Sequence, residues 1–395
     1  MISASLSPNT EFDDVFLALR TLLTPWVWGK GSSVGKVEGW FRQYLHTSRA
    51  VSFNSGRSAF LAILKAFDVG RGDEVMVQAF TCVAVPNSVL WTGAKPVYAD
   101  IDETYNIDPN DVRRKISPKT KAIVVQHTFG VPAKIEEILE IAKRHKLIVI
   151  EDCAHSLGTG RIRGDAAFFS FGRDKVISSV FGGVATIHSM HDAQCRKLKE
   201  YHKKLNTPSF RWIFQQLFHP VAFSIILSFY RLGIGKVLLV ILQRLRLLSF
   251  PVYPEEKLGH QPADFPAKYP NALAILLLKQ LKKLERFTKQ REEIVKLYGG
   301  EARLPTPDRR DGGQGPLLRF PLRVESPEKT IEKAKKKGIL LGNWYHNVVD
   351  PAGVDFAAVG YKKSSCPRAE DAARHIINLP TRISLREAKR ALAAL

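Results

Sequence analysis

The sequence contains few cysteines, and they follow no pattern that predicts a metal site or a disulfide framework. The four are Cys82, Cys153, Cys195 and Cys366 in a chain of 395 residues. They form neither a CxxC pair nor a zinc-ligand spacing, so we predict no bound metal and no small secreted scaffold stabilised by disulfides. Cysteines this widely spaced suit a reducing cytosol.

Signal sequences and long hydrophobic runs are also absent. Residues 1–8 lack the basic start and apolar core of a secretory signal. Residues 207–250 are strongly apolar in places, but Lys236, Arg244 and Arg246 interrupt or flank the runs, which fall short of the roughly 18–20 residues of a spanning helix. Two interpretations remain open: an amphipathic hairpin with a cationic rim that lies on a membrane surface, or helices that pack against the core or a partner subunit. We therefore expect a cytoplasmic protein, with peripheral contact at the inner face of a membrane under the first interpretation.

Negative charge is scarce relative to positive charge. Lysine and arginine number 59 against 38 acidic residues, which gives a formal net charge of +21. Such a surface attracts anions, including nucleotide diphosphates and acidic lipid headgroups. The basic residues are scattered and no RNA-binding aromatic signature is present, so we predict no nucleic-acid partner. With 45% hydrophobic and 25% charged residues, the composition is that of a globular protein.

From residue 50 onward, short β-branched runs alternate with helical stretches. This alternation predicts an α/β fold with a mostly parallel sheet between layers of helices. The predicted strands are 50–53, 74–77, 96–99, 122–126, 148–150, 166–171 and 183–187, and the predicted helices are 57–68, 83–93, 109–115 and 134–145.

We expect three parts along the chain. Residues 1–36 are predicted to be a helical lead-in, and residues 37–250 a large domain that includes an apolar helical insert at about 207–250. Residues 251–395 are expected to form a smaller α+β domain, with helices at 273–284 and 327–337, strands at 317–324 and 339–344, and a last helix from Leu385.

The candidate site residues follow predicted strands. Asp152 ends one strand, and Lys175 lies 23 residues further on, after another. Ligands of such sheets bind beyond the carboxyl ends of the strands, so we expect these side chains to meet there. A lysine amine that can form a Schiff base and a carboxylate that can keep a ring nitrogen protonated are what pyridoxal phosphate (PLP) requires. We therefore predict a PLP site.

Seven short motifs in order resemble those of the DegT-like sugar aminotransferases, which are PLP enzymes of fold type I in the aspartate aminotransferase superfamily. The resemblance extends from about Val37 to the C-terminus, except near residues 205–255. The motifs are residues 54–59, 72–75, 92–97 with 100–102, 126–130, 151–155, 169–175 with 182–183, and 366–370 with 378–380. The resemblance implies a large domain with a mixed, mostly parallel sheet and a smaller C-terminal α+β domain.

The resemblance implies catalytic roles for Lys175, Asp152 and His155. Lys175 would bind the cofactor covalently and then transfer a proton between the substrate carbon and the cofactor. Asp152 would pair with the pyridinium nitrogen, and His155 would form a hydrogen bond near the phenolic oxygen.

Further residues are expected to hold the cofactor's phosphate and ring. Ser55, Gly56 and Arg57 open a predicted helix whose N-terminus can bind phosphate, and the Ser170 hydroxyl would assist. Relatives usually have threonine at the position of Arg57, where a guanidinium could contact phosphate through two hydrogen bonds. Many relatives place an aromatic ring over the cofactor where this chain has Cys82; we expect either Phe80 or the Cys82 thiol to take that place.

A second departure lies at residues 266–268, Pro-Ala-Lys, where relatives have an Asn-Tyr-Arg element that a neighbouring subunit often contributes. The expected activity is transfer of an amino group from an amino acid, with glutamate as the expected donor, to a nucleotide-linked keto sugar for polysaccharide or glycoconjugate assembly by a homodimer. Two alternatives stay open: a catalytically idle relative with a binding or regulatory role at the membrane, and another PLP reaction on the same fold.

Overall fold

The computed structural model describes residues 2–47, 49–158, 162–188, 190–230, 232–300 and 316–395. The strands in these residues are β1 Ile2–Ser3, β2 Val51–Phe53, β3 Glu74–Gln78, β4 Thr81–Cys82, β5 Lys95–Ala99, β6 Thr120–Gln126, β7 Ile148–Asp152, β8 Ala166–Ser170, β9 Gly183–Ile187, β10 Arg319–Arg323, β11 Ile339–Leu340, β12 Val349–Asp350 and β13 Ile376–Pro380.

The α-helices in the same residues are α1 Phe12–Leu22, α2 Ser33–Tyr44, α3 Gly56–Ala66, α4 Ala84–Leu90, α5 Pro109–Lys115, α6 Ile135–His145, α7 Asp192–Lys204, α8 Phe210–Ser228, α9 Ile234–Arg244, α10 Asn271–Leu281, α11 Leu284–Gly300, α12 Pro327–Lys336, α13 Pro367–His375 and α14 Leu385–Leu392. Short 3-10 helices lie at Pro25–Val27, Thr128–Gly130 and Pro254–Leu258.

A seven-stranded sheet forms the centre of the fold. Its strand order is β2-β9-β8-β7-β6-β3-β5. The neighbours from β8 to β5 are parallel, whereas β9 is antiparallel to both β8 and β2. The predicted α/β fold with a mostly parallel mixed sheet is confirmed, and the seven predicted strands agree with these seven within two residues at each end.

Helices cover both faces of this sheet because its strands are apolar on both sides, as expected for parallel strands. On one face, α3 contributes Phe60, Ile63 and Leu64 to a core that also contains Val75 and Val77 of β3. On the opposite face, Met76 packs with residues of α5 and α6. The carboxyl ends of the strands are left open to the loops that follow them.

The small sheet elements tie the C-terminal part of the chain to the rest. β10 pairs antiparallel with β13, and β1 pairs with β11, so the N-terminal lead-in begins as a strand against the C-terminal part. β12 pairs in parallel with β4 beside the central sheet. Contacts also cross the predicted boundary at residue 250, since Leu273 and Leu277 of α10 share a core with Phe41 and Phe171.

The apolar insert forms the two helices α8 and α9. Trp212, Ile213 and Leu217 of α8 are buried in the same core as α10, which agrees with the interpretation of the insert as core-packing helices. By contrast, much of α9 is exposed. In the part of the chain that the structure describes, neither these helices nor any other is long and apolar enough to cross a membrane.

Candidate active site

A cavity of about 400 Å³ opens at the carboxyl ends of the central strands. All of the predicted site residues except Phe80 line it: Ser55, Gly56, Arg57, Cys82, Asp152, His155, Ser170 and Lys175. The doubly wound topology brings them together, because β2, β7 and β8 are near neighbours in the sheet although their residues are far apart in the sequence.

The backbone around Lys175 is fixed by the N-terminal segment that precedes α1. The side-chain amide of Asn9 donates a hydrogen bond to the Lys175 carbonyl. The Ser7 N–H donates to Asp174 Oδ1 at 3.0 Å, and the buried Arg291 donates to Asn9 Oδ1 at 2.8 Å. These hydrogen bonds fix the backbone of the loop after β8. The position of Lys175 therefore depends on residues 7 and 9 as well as on its own loop.

Lys175 and Asp152 perturb one another inside the cavity. Burial lowers the pKa of the Lys175 amine, and the nearby Cys82 and Asp152 only partly oppose this effect. Burial raises the pKa of Asp152, which is opposed by a 2.9 Å hydrogen bond from the Ala154 N–H and by the charge of Lys175. The cavity therefore favours a neutral Lys175 amine more than water does, and it also favours the protonated form of Asp152, because the Ala154 N–H and the charge of Lys175 only partly offset burial.

Ser55 and Gly56 at the start of α3 form a concave, closely packed surface, which is called the cup below. Ser55 caps the helix, with its side chain accepting a hydrogen bond from the Ser58 N–H at 3.1 Å. A Cβ atom added at Gly56 would lie 2.8 Å from Ser170 Cβ, and one at Gly183 would lie 2.5 Å from the Ser55 carbonyl oxygen. The first N–H groups of a helix lack acceptors in the preceding turn, and Gly56 and Arg57, at this helix start, line the cavity.

The structure corrects the prediction of a phosphate contact through the Arg57 guanidinium. That group forms an ion pair with the buried Glu256 and donates to the Pro251 carbonyl at 2.7 Å. It also lies over the Phe265 ring, 4.7 Å from its centre. Because Glu256 already neutralises it, Arg57 can contribute its backbone at the helix start but has little free charge for a phosphate.

His155 is buried beside the rings of Phe129 and Tyr345, whose centres lie 6.0 Å and 6.2 Å from its own. Its Nδ1 accepts a hydrogen bond from the Phe129 N–H at 3.2 Å, and its Nε2 lies 3.4 Å from the Tyr345 hydroxyl. Burial, reinforced by the charges of Lys175 and Arg319, holds the pKa of His155 well below its usual range. The ring is therefore neutral, and because Nδ1 accepts, the proton is on Nε2.

Phe80 is not part of the cavity wall, which corrects the prediction that it could cover the cofactor ring. It is fully buried, and its ring packs edge-on against Tyr345 with centres 5.4 Å apart. Cys82, two residues on, lines the cavity instead. Burial raises the pKa of the Cys82 thiol, so it is a neutral, soft surface at this position.

Several cavity residues were not found from the sequence. Pairing of β12 with β4 and of β10 with β13 brings the C-terminal part of the chain to the cavity, where it supplies Arg319, Trp344, Tyr345, Asp350 and Pro351. These residues lie more than 140 positions after Lys175 in the sequence, and none belongs to a motif that we recognised.

The apolar insert also reaches the cavity. Arg173 lines it and donates to Ser249 through its carbonyl at 2.7 Å and its hydroxyl at 2.6 Å. Ser249 in turn donates to Gln216 of α8 at 2.7 Å, and Phe250, Pro251 and Val252 form part of the wall. The end of the insert thus closes one side of the site within the same chain.

Residues 266–268, where this chain has Pro-Ala-Lys in place of the relatives' Asn-Tyr-Arg, lie beside the cup. Asn54 and Ala267 exchange hydrogen bonds, with the Asn54 N–H donating to the Ala267 carbonyl at 3.0 Å and the Ala267 N–H donating to Asn54 Oδ1 at 3.1 Å. Lys268 is turned away, with Nζ donating to the Lys203 carbonyl at 3.0 Å. Residues 266–268 therefore stabilise the loop before Ser55 through the Asn54 hydrogen bonds, and the Lys268 amine is bonded to the Lys203 carbonyl.

Known proteins are similar to this chain both in sequence and in fold. GDP-perosamine synthase of Caulobacter vibrioides is 36% identical over 188 residues, which cover 46% of this chain and half of that protein. The pleiotropic regulatory protein of Geobacillus stearothermophilus is 28% identical over 391 residues, covering 95% of this chain and 89% of that protein. The structure of NtdA from Bacillus subtilis with bound cofactor PMP has a TM-score of 0.72 at 21% identity, covering 98% of this chain and 82% of that chain.

These matches confirm the predicted family, fold type and PLP cofactor. Residues 11–211 and 240–392 match the model of one family, and the gap between the two segments falls inside the apolar insert. Because the matched segments make up most of the sequence, the chain belongs to the DegT/DnrJ/EryC1/StrS aminotransferase family.

Proposed function

We propose that this protein is a PLP-dependent aminotransferase that moves an amino group from an amino acid, with glutamate as the donor, to a nucleotide-linked keto sugar. The observation that carries the proposal is that Lys175 and Asp152 line one cavity together with the cup at Ser55 and Gly56. A reactive amine, a buried carboxylate and a phosphate-binding helix start are the three parts that a PLP site needs.

The residues present fit this cofactor. Its phosphate would be bound by the first turn of α3 and the Ser170 hydroxyl, where the absence of a side chain at Gly56 permits close approach. Its ring nitrogen would be bound by Asp152, and Lys175 would hold its aldehyde carbon. When bound, PLP supplies an electron sink and carries the amino group between donor and acceptor.

Lys175 is the proposed acid and base of the reaction. With its pKa lowered by burial, its Nζ can accept a proton from the substrate carbon and return one to the cofactor at a pH where an exposed lysine stays charged. Asp152 would keep a proton on the ring nitrogen of the bound cofactor. His155, neutral and protonated on Nε2, positions neighbouring groups without adding a charge.

An anionic sugar nucleotide is the proposed acceptor, and polysaccharide or glycoconjugate assembly the proposed purpose. Arg173 and Lys257 line the cavity in a protein with a formal net charge of +21. Such a field raises the local concentration of a diphosphate. The relative from Caulobacter vibrioides is named for a GDP-linked sugar, which supports this class of acceptor. The proposal includes a homodimer, as the family resemblance implies, and a cytoplasmic location, for which the cysteine pattern is suited.

Incubation of the holo-protein with glutamate and a panel of GDP- and UDP-linked keto sugars tests the proposal. We expect one sugar to gain an amino group and an equal amount of 2-oxoglutarate to appear, both read by mass spectrometry. A dehydrated or acylated product would show another PLP reaction on the same fold. If no sugar or amino acid is changed although PLP is bound, the proposed activity is wrong.

A regulatory role is the second candidate function. It is favoured by the relative from Geobacillus stearothermophilus, which aligns with nearly the whole chain and is named as a regulatory protein. Cys82 in place of an aromatic ring is consistent with an altered site. Catalytic amino transfer to any keto sugar would exclude an idle protein.

We also propose that the outer face of α9 binds the surface of an anionic membrane. Leu238, Leu239 and Leu242 pack against a small core that includes residues of α8. The other side of α9 is exposed although it is apolar, and consists of Ile234, Val237, Val240, Ile241 and Leu245. A helix that is apolar on all sides requires a partner for the uncovered side.

Charge favours a lipid surface as that partner. Lys236, Arg244 and Arg246 are exposed along the same helix and just after it, so the apolar face has a cationic border. A helix of this kind can lie in the headgroup region of a bilayer, with its basic residues contacting anionic lipids. Peripheral binding would place the enzyme near lipid-linked sugars.

Vesicle flotation tests the membrane proposal. We expect wild-type protein to float with phosphatidylglycerol-containing vesicles but not with pure phosphatidylcholine, and the double variant Val237→Asp/Ile241→Asp to remain at the bottom. Leu258→Asp, at an exposed leucine outside the insert, is the matched control and should float. If the double variant instead converts a dimer to a monomer by light scattering and neither protein floats, the face belongs to a second copy and the proposal fails.

A further inference from the structure

Arg319 is a buried guanidinium that forms no ion pair with any of the described residues. It is 5% exposed, lines the cavity, and donates to the Asp174 carbonyl at 3.3 Å. Its Nε has no hydrogen-bond partner, and among the described residues no acidic side chain lies within ion-pair distance of it. Asp174 and Asp350 act on this charge only from beyond ion-pair distance, and a buried charge without a direct partner is costly. A cavity that retains one is suited to a ligand that supplies the negative charge.

The guanidinium is fixed in orientation by a ring behind it. Its central carbon lies 3.0 Å from the centre of the Trp344 ring, which also lines the cavity. Stacking on an aromatic face leaves the edge of the guanidinium available for in-plane hydrogen bonds. Arginine held in this way favours a planar oxyanion with two oxygen atoms, and a carboxylate has that shape.

Arg319 is close to the amine of Lys175. The carbonyl that it contacts belongs to Asp174, the residue before Lys175. Its charge is also felt at Lys175 and at His155. In transamination, the amino donor must bring its nitrogen to the position that the Lys175 amine occupies. The α-carboxylate is only two bonds from that nitrogen, so it must come to rest beside Lys175, on whichever side offers a cation.

We propose that Arg319 binds the α-carboxylate of the amino donor, with Trp344 holding the guanidinium in plane. This inference rests on the proposed function, since it names the contact that selects an amino acid as donor. The same guanidinium could in principle bind the diphosphate of the acceptor. Its closeness to the Lys175 amine favours the carboxylate, because that group is held next to the reacting nitrogen while a sugar separates the diphosphate from it.

Equilibrium binding to holo-protein distinguishes the two anions. By calorimetry, we expect Arg319→Gln to weaken 2-oxoglutarate binding roughly tenfold to a hundredfold, the loss typical of a charged hydrogen-bonded pair. Binding of GDP and UDP should stay within about twofold. Arg319→Lys keeps the positive charge but lacks the paired N–H donors of a guanidinium. This variant should therefore recover part of the lost 2-oxoglutarate affinity. Weaker nucleotide binding with unchanged 2-oxoglutarate binding would overturn the proposal.

Arg323→Gln is the matched control. Arg323 lies on the same strand but is exposed and pairs with Asp371 at 2.7 Å, outside the cavity. This variant should bind 2-oxoglutarate as wild type does, and a thermal melt of all three variants shows whether each is folded. In the steady state, Arg319→Gln should raise KM for glutamate and leave KM for the keto sugar unchanged.

The outcomes separate this inference from the proposed function. If wild-type protein transfers nitrogen from glutamate and Arg319→Gln leaves both the glutamate KM and 2-oxoglutarate binding unchanged, only the role of Arg319 is wrong. If wild-type protein with bound PLP transfers nitrogen from no amino acid, the proposed function is wrong and this inference fails with it.

Discussion

Lys175 and Lys283 are both withdrawn from solvent, but their surroundings shift their pKa values in opposite directions. At Lys283, burial alone would lower the pKa, yet the hydrogen bonds that its amine donates to Asp13, Asp14 and Glu11 raise it. At Lys175, burial dominates and the pKa is lowered. Lys283 joins α1 to the start of α11, and Lys175 faces the cavity.

The acidic residues of the two regions show the same contrast. Burial would raise the pKa of Glu11 and Asp13, but basic side chains beside them lower each to about 2. The pKa of Asp152 is raised, because burial outweighs the one nearby amine and the Ala154 N–H. The ion pairs at α1 provide stability, whereas the cavity groups lack such pairs and are available for a ligand and for proton transfer.

The largest expected effect is that of Lys175→Ala. Loss of the amine removes both the covalent attachment and the proton carrier, so we expect kcat for amino transfer to fall at least about a thousandfold. Borohydride reduction should no longer fix the cofactor to the protein, as read by intact mass. Lys257→Ala, at another cavity lysine, should still be labelled. Labelling of Lys175→Ala would show that a different amine holds the cofactor.

Asp152→Asn should have the next largest effect. Asparagine is similar in shape but cannot hold a proton on the ring nitrogen, so we expect kcat to fall by about two orders of magnitude. Borohydride should still fix the cofactor to Lys175. Near-normal turnover would show that Asp152 does not face the ring nitrogen.

Lys283→Met tests the ion-pair cluster at α1. It leaves the carboxylates of Glu11, Asp13 and Asp14 together without their shared cation, and we expect about 2 kcal/mol of destabilisation by urea unfolding. The exposed neighbour Lys282, changed to methionine, serves as the control and should unfold as wild type does. Equal unfolding midpoints for the two variants would contradict a stabilising role of the cluster.

The smallest expected effect is on pH dependence. Since the folded-state pKa values of Glu11 and Asp13 are below their ordinary values of 4.5 and 3.8, their contribution to stability is present above about pH 4.5 and is lost as the pH falls towards 2. Urea midpoints measured between pH 5 and pH 2.5 should therefore fall less steeply in Lys283→Met than in wild type. Parallel curves would show that other carboxylates control acid unfolding.

Motif spacing was sufficient to predict the residues that follow the central strands. Lys175, Asp152, His155 and the cup at Gly56 all line the cavity, because strand, turn and helix are local features. The structure does not agree with a phosphate contact through the Arg57 side chain, and of the two residues expected over the cofactor ring it places Cys82, and not Phe80, at the cavity. The Arg57 guanidinium pairs with Glu256, which is about 200 positions away, and Phe80 turns into the core beneath Tyr345.

The sequence by itself determined the order of strands and helices along the chain, the family, and the lysine and carboxylate of the candidate site, since these follow from hydrophobic pattern and local motifs. Only the tertiary structure decided which charges are neutralised and which remain free. Arg319 and Trp344 reach the cavity through the pairing of β10 and β12 with distant strands, and the insert reaches it through Ser249. Whether an arginine forms an ion pair with an acidic residue depends on contacts between residues far apart in the chain, and local sequence patterns do not predict such contacts.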